Sequence, residues 1–79
     1  MRAVILLTAN AGFAEGAKRE ISRIAQGTEE VKVENAIYCL GRFDGVLLVN
    51  FEEIQDAVLF VEAIRKDGRF RTETLFEVD

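Results

Sequence analysis

The sequence predicts an α+β fold in which four strands and two helices follow the order βαββαβ. Three observations predict it: two segments are apolar on both alternating faces, two others alternate between apolar and polar residues, and two more carry apolar residues at helical spacing. The 79-residue composition, 49% hydrophobic and 30% charged, is typical of a globular chain. Because so short a chain cannot hold two cores, we expect residues 1–79 to form one domain.

The polarity of the predicted strands indicates their places in the sheet. Residues 2–9 and 46–51 read RAVILLTA and VLLVNF, and strands that are apolar on both faces lie at the centre of a sheet. Residues 31–40 and 70–78 carry alternating charge, which is typical of edge strands. In a ferredoxin-like sandwich with a four-stranded antiparallel sheet, the first and third strands are central, so strand polarity and element order predict the same fold.

The two helices are predicted over residues 13–25 and 53–66. In the first, apolar residues recur at helical spacing from Phe13 onward, and Gly27 follows its expected end. In the second, spacings of three and four place one apolar stripe on Ile54, Ala57, Val58, Val61 and Ile64. Leu59, Phe60 and Ala63 lie off this stripe, so the second helix is expected to be apolar over more than one face.

An apolar sheet face without a cover predicts self-association. Both helices of such a fold pack on one face of the sheet, yet the central strands are apolar on both faces. The single cysteine excludes an intrachain disulfide, so a second copy is the remaining source of additional core. We expect a homodimer with two sheets facing each other, a dimeric α/β barrel, and further contacts that build a larger ring.

Composition also excludes several functions. Without histidine, neither a Ser-His or Cys-His mechanism nor a Cys/His zinc site can form, and we expect no metal, no cofactor and no enzyme activity. A net charge of −4 argues against direct contact with nucleic acid. No apolar run is long enough to span a bilayer. We expect a cytoplasmic protein in which Cys39 is a reduced, buried thiol.

The segment L-G-R-F-D-G, residues 40–45, is the most specific local feature. Gly41 can adopt a positive φ at the strand end, and Phe43 can form the wall of a small pocket. Asp44 either accepts backbone N–H groups in an ordinary turn or holds the ammonium group of a ligand. In the last strand, Thr72 and Thr74 point the same way; they either offer two hydroxyls to a ligand or satisfy strand propensity.

Three segments of the chain resemble the RAM domain (regulation of amino-acid metabolism), the effector-binding half of the leucine-responsive/AsnC family of regulators. The segments are V-I-L-L-T-A-N-A-G, Y-C-L-G-R-F-D-G-V-L-L-V and R-T-E-T-L-F-E-V, and the resemblance covers nearly the whole chain. It implies a dimeric barrel, often in rings, that binds an amino acid near the turn. Gly41, Phe43 and Asp44 would then be pocket residues, with Thr72 and Thr74 as further contributors.

The resemblance implies a regulatory, non-catalytic role and, as a further partner, a full-length regulator of the same family. The DNA-binding half of such regulators has no counterpart in these residues, and Gly45 replaces a bulkier apolar residue that is usual in the family. The GYD domain carries a similar turn and last strand, and it implies the same fold with an undefined role.

Three other readings remain open from the residues alone. One is a small monooxygenase or isomerase that uses Tyr38 or Asp44 as its acid–base group. Another is a purely structural oligomerisation module. The last is an ACT-like amino-acid sensor, which would bind its ligand at residues 10–12, between the first strand and the first helix.

Overall fold

The computed structural model describes residues 1–12 and 14–78. Its elements follow the expected βαββαβ order, and together they form a ferredoxin-like α+β fold. They are β1 (Arg2–Ala9), α1 (Ala17–Gln26), β2 (Val31–Tyr38), β3 (Gly45–Phe51), α2 (Ile54–Arg65) and β4 (Phe70–Phe76).

The four strands form one antiparallel sheet in the order β2-β3-β1-β4. The doubly apolar strands β1 and β3 are therefore central and the charged strands β2 and β4 are the edges, which confirms the prediction from strand polarity. The register of β2 shifts between Val33 and Asn35, where a bulge interrupts its pairing with β3. Bulges of this kind are common on edge strands.

The core lies between the two helices and one face of the sheet. Each central strand supplies three buried side chains to it, because alternate residues of a strand point to the same face. These are Ala3, Ile5 and Leu7 from β1, and Leu47, Val49 and Phe51 from β3. Among the described residues, no polar or charged residue is buried, so this core is held by apolar packing alone.

The buried face of α2 differs from the predicted stripe. Phe60, expected to lie off the stripe, is fully buried (0% exposed), and with Ala57 and Ile64 it forms the contact with the sheet. Ile54 and Val58, expected to be buried, are exposed. Apolar residues at spacings of three and four lie on both sides of this helix. The side that carries Phe60 packs against the sheet because its ring removes more apolar area from water than Val58 would.

Some boundaries also differ from the expected ones. α1 begins at Ala17, after Gly16 adopts a left-handed conformation (φ +87°); the expected first residue of this helix, Phe13, lies outside the described residues. β2 ends at Tyr38 instead of residue 40, because the backbone closes into a turn when the N–H of Cys39 donates to the carbonyl of Asp44 (3.0 Å). β4 ends at Phe76, opposite the start of β1.

The face of the sheet turned away from the helices is apolar at its centre. We call it the open sheet face; Val4 and Leu6 of β1 and Val46 and Leu48 of β3 point to it, because they alternate with the core residues. These side chains are half-buried by their neighbours within this single chain. Ile37 and Leu75 extend the patch onto the edge strands and are exposed.

Both ends of the described chain lie at one end of the sheet. The Met1 ammonium donates to the carbonyl of Phe51 (2.7 Å), and the N–H of Glu77 donates to the carbonyl of Arg2 (2.9 Å). An exposed ion pair joins Arg2 to Glu77 at 2.5 Å. Within the described residues, neither helix is long and apolar enough to cross a membrane.

Candidate functional site: the turn between β2 and β3

The turn between β2 and β3 is held to the end of β1 by Asp44. The N–H of Asp44 donates to the carbonyl of Leu7 (2.7 Å), and its carboxylate oxygen Oδ2 accepts the N–H of Ala9 (2.7 Å). Asp44 thus accepts a backbone N–H, as one of the two readings of the sequence expected, but that N–H belongs to β1 and not to the turn. Among the described groups, none hydrogen-bonds to the other carboxylate oxygen, Oδ1.

The interior of the turn contains the glycine and the thiol that the sequence singled out. Gly41 has a φ of +152°, a conformation that residues with a Cβ rarely adopt. Cys39 was expected to be buried, but it is exposed, because β2 ends one residue earlier. Its thiol donates to the carbonyl of Phe43 at a sulfur–oxygen distance of 3.3 Å.

An open cleft of about 410 Å³ lies between this turn and the start of α1. Residues 14–18 line one side, and residues 38–40 with Asp44 line the other. A volume of this size falls within the range of small-molecule sites. The cleft has acidic groups in Asp44 and Glu15 and a basic group in Lys18, so opposite charges flank an otherwise apolar space.

Tyr38 forms part of the wall of this cleft and packs over Gly45. Burial raises the pKa of its phenol above the ordinary value of 10.0, because desolvation disfavours the phenolate. A Cβ added to Gly45 would lie 3.1 Å from the Leu7 side chain and 3.5 Å from the Tyr38 ring. The glycine therefore fits a close approach of two side chains, and it pairs with both neighbouring strands.

Phe43 points to a different groove, at the end of the open sheet face. This groove of about 400 Å³ is lined by residues from three segments: Leu6 and Thr8 of β1, Arg42 and Phe43 of the turn, and Arg71, Thr72 and Glu73 of β4. The guanidinium carbon of Arg42 lies 5.5 Å from the centre of the Phe43 ring, a cation–π distance.

The structure therefore does not bring the five predicted site residues together. Asp44 lines the cleft beside α1, whereas Phe43 and Thr72 line the groove on the other side of the turn. Thr72 and Thr74 lie on the helix-facing side of β4, opposite Leu7 and Ile5, but neither cavity includes Thr74.

Residues 14–18 form one wall of the cleft, although no motif in the sequence indicated them as site residues. The signal that could have identified them was Gly16, whose left-handed conformation turns the chain into α1 beside the turn. Residues 10–12, the ligand site expected of an ACT-like sensor, belong to another contact. Asn10 donates its side-chain amide to the carbonyl of Gly68 and its backbone N–H to the carbonyl of Arg69 (2.8 Å), which fixes it to the loop before β4.

No group of three or more His, Cys, Asp or Glu side chains in the described part of the chain could hold a metal ion. The residues that line the cleft beside the turn offer charged groups and apolar surface. A molecule with an ammonium, a carboxylate and a small side chain matches the groups around the cleft.

No protein-family model matches the chain, and no curated protein matches its sequence significantly. Solved structures do match it. The feast or famine regulatory protein Rv3291c of M. tuberculosis, in complex with L-methionine, aligns with 99% of this chain at a TM-score of 0.75 and 22% identity. This chain covers 50% of that protein, so it spans about half the length of that neighbour.

Two further structures agree. FFRP-DM1 aligns with 98% of this chain at a TM-score of 0.68 and 26% identity, and 97% of its own length is covered. The leucine response regulatory protein LrpA of Mycobacterium tuberculosis aligns with 98% at a TM-score of 0.66 and 20% identity, with 51% of its length covered. The resemblance to leucine-responsive regulators is thus confirmed at the level of the fold, and the chain shares the ferredoxin-like fold of these structures.

Proposed function

We propose that this chain is a small-molecule effector-binding and oligomerisation domain of the RAM type, with a regulatory and non-catalytic role and an amino acid as its effector. The observation that carries the proposal is the open cleft beside Asp44. The complex of a structural neighbour with L-methionine supports the choice of an amino acid. Residues 1–79 are proposed to act as one domain.

The groups around the cleft support a zwitterionic ligand. Asp44 and Glu15 supply negative charge for an ammonium. Oδ1 of Asp44 can accept from it, because the Ala9 N–H donates to Oδ2 and no described group donates to Oδ1. Lys18, in the first turn of α1, supplies positive charge for a carboxylate, and the positive end of the helix dipole adds to it. Ala14 and Leu40 supply apolar surface for the side chain of the ligand.

The other predicted site residues receive separate roles in this proposal. Gly41 gives the turn the backbone conformation that places Asp44 against β1. Phe43 acts in the groove at the end of the open sheet face, which a second copy would cover, and Thr72 only borders this groove because its side chain is on the helix-facing side of β4. Thr74 packs beside Ile5 and supports the strand without touching the effector.

The geometry favours binding over catalysis. Burial raises the pKa of Tyr38, so its phenol is a weak acid, and little phenolate is present at neutral pH to act as a base. Asp44 already accepts a hydrogen bond from the backbone of Ala9. These are the two groups that the enzyme hypothesis would use, and the proposal gives neither of them a catalytic role.

Assembly is the proposed output of effector binding. The open sheet face carries Val4, Leu6, Val46 and Leu48, and a second copy placed there would form the dimeric barrel. We propose that such dimers join into a ring and that the chain can join a full-length regulator of the same type. An effector that binds better to one assembly shifts the equilibrium toward it, by its difference in affinity for the two states.

A thermal-shift panel of the common amino acids, with light scattering on the same samples, tests this function. We expect at least one amino acid to raise the melting temperature and to change the mass of the assembly. Asp44→Asn should abolish both effects, whereas Glu30→Gln, in the exposed loop before β2 and away from the cleft, should retain them. No response to any amino acid, or an unchanged response in Asp44→Asn, would contradict the proposal.

A further inference from the structure

The outward face of α2 exposes three large apolar side chains. Ile54, Val58 and Leu59 are 53%, 38% and 51% exposed, because Phe60 turns the opposite side of the helix to the core. This face belongs to the helical layer and so lies on the other side of the molecule from the open sheet face. A contact formed here would therefore not compete with a contact formed there.

Charge is distributed unevenly along the same helix. Its first end is acidic, with Glu52 and Glu53 before the helix and Asp56 in its first turn. Its last end is basic, with Arg65 and Lys66, and neither of these forms an ion pair within the described residues. Acidic groups at the start and basic groups at the end interact favourably with the dipole of the helix itself. They are also complementary to the charges of an identical helix that runs in the opposite direction.

A two-fold axis between residues 58 and 59 makes this face complementary to itself. Gln55, Val58, Leu59 and Glu62 lie within one outward sector at 100° per residue, with Gln55 and Glu62 between the two apolar side chains. An antiparallel copy of the helix then places matched residues opposite each other: Val58 with Leu59, Gln55 with Glu62, and Glu52 with Arg65. Each pair occurs twice, once on each side of the axis.

We propose that α2 packs antiparallel against α2 of a second copy, about this axis. The apolar pair lies at the centre, the amide and carboxylate pair beside it, and the ion pair at each end. This contact is distinct from the sheet-to-sheet contact. Its ring-building role rests on the proposed function, because the helix contact joins dimers that the sheet contact has already formed.

The size of the contact sets its strength. A helix of 12 residues is about 18 Å long, which is short for an interface that must hold two small proteins together alone. In a closed ring, however, each dimer makes one such contact on each of its two sides, and these contacts act together. Two different two-fold contacts on opposite layers link dimers end to end, and the result is a closed ring or a filament.

Sedimentation velocity of the whole chain over a range of concentrations tests the proposal. Leu59→Glu places two like charges at the axis, and it should reduce the assembly to the dimer and weaken the joining of dimers at least about tenfold. Ser22→Glu, an equal charge change on the exposed side of α1, is the matched control and should keep the wild-type mass. An unchanged mass in Leu59→Glu, or a wild type that never exceeds a dimer, would overturn the inference.

A charge exchange tests the register. Glu52→Arg alone should weaken the assembly, because it faces Arg65 of the other copy, and adding Arg65→Glu should restore it. If the double variant does not regain the wild-type mass, the antiparallel register is wrong. Leu48→Glu, on the open sheet face, tests the sheet contact separately: if it leaves the mass unchanged while Leu59→Glu lowers it, the helix contact stands and the proposed barrel dimer does not.

Discussion

Asp44 gives the most direct test of how the turn is held. Replacement by alanine removes the acceptor of the Ala9 N–H, a bond of 2.7 Å that joins segments 35 residues apart. A hydrogen bond to a charged acceptor contributes about 2 kcal/mol, and the unmatched N–H adds to the loss when it is shielded from water. We therefore expect Asp44→Ala to lower the free energy of unfolding by about 2 kcal/mol, which corresponds to a fall in Tm of roughly 8–16 °C for a domain of this size.

The conservative variant separates the structural role of Asp44 from its proposed role in binding. The side-chain carbonyl of Asp44→Asn can still accept the Ala9 N–H, so its destabilisation should be about 1 kcal/mol or less. Urea unfolding at one fixed protein concentration, without added ligand, measures both variants, and Glu30→Ala at an exposed loop position is the control. If Asp44→Ala unfolds at the same urea concentration as the control, the bond to β1 does not stabilise the turn.

Three further outcomes follow from packing and burial. Phe60→Ala should lower the free energy of unfolding by about 3–5 kcal/mol, whereas Leu59→Ala, at a protein concentration too low for dimers to join, should change it by under about 1 kcal/mol. Equal losses in urea unfolding would refute the orientation of α2. Tyr38 is the only tyrosine, so phenolate absorbance reports it alone, and its pKa in the folded chain should exceed 10.0. Because the pKa is raised in the folded state, the free energy of unfolding should fall as the pH rises above about 10. A titration midpoint at or below 10.0 would contradict the burial of the phenol. Gly45→Val should cost about 1–3 kcal/mol, since even its Cβ would lie 3.1 Å from the Leu7 side chain, and a neutral result would show that Leu7 moves freely.

The fold follows from the sequence because its signals are local. Alternation along a strand depends only on which neighbours are apolar, so the doubly apolar residues 2–9 and the charged residues 70–76 indicate their own positions in the sheet. The orientation of α2 does not follow in the same way. Ile54 and Phe60 belong to different rows of one helix, and only the shape of the space above the sheet decides which row is buried.

The candidate site is harder to predict because it depends on contacts between distant segments. The turn motif identifies Gly41 and Asp44, but the Asp44 carboxylate accepts from the backbone N–H of Ala9. A pattern of side chains cannot predict a contact with a backbone group. The wall formed by residues 14–18 exists only because α1 begins next to the turn. Phe43 and Asp44 are adjacent in sequence yet line different cavities, so adjacency along a turn does not imply a shared pocket.

The pairing of Arg2 with Glu77 has a practical consequence for engineering. Since both ends of the described chain leave the sheet side by side, a short linker could join them, and new ends could be opened at an exposed loop to give a circular permutant. The turn that carries Asp44 is at the opposite end of β1, about 25 Å away along an eight-residue strand. A fluorescent protein fused to either end would therefore leave the cleft accessible, and it would report the proposed binding of an effector only through changes in assembly.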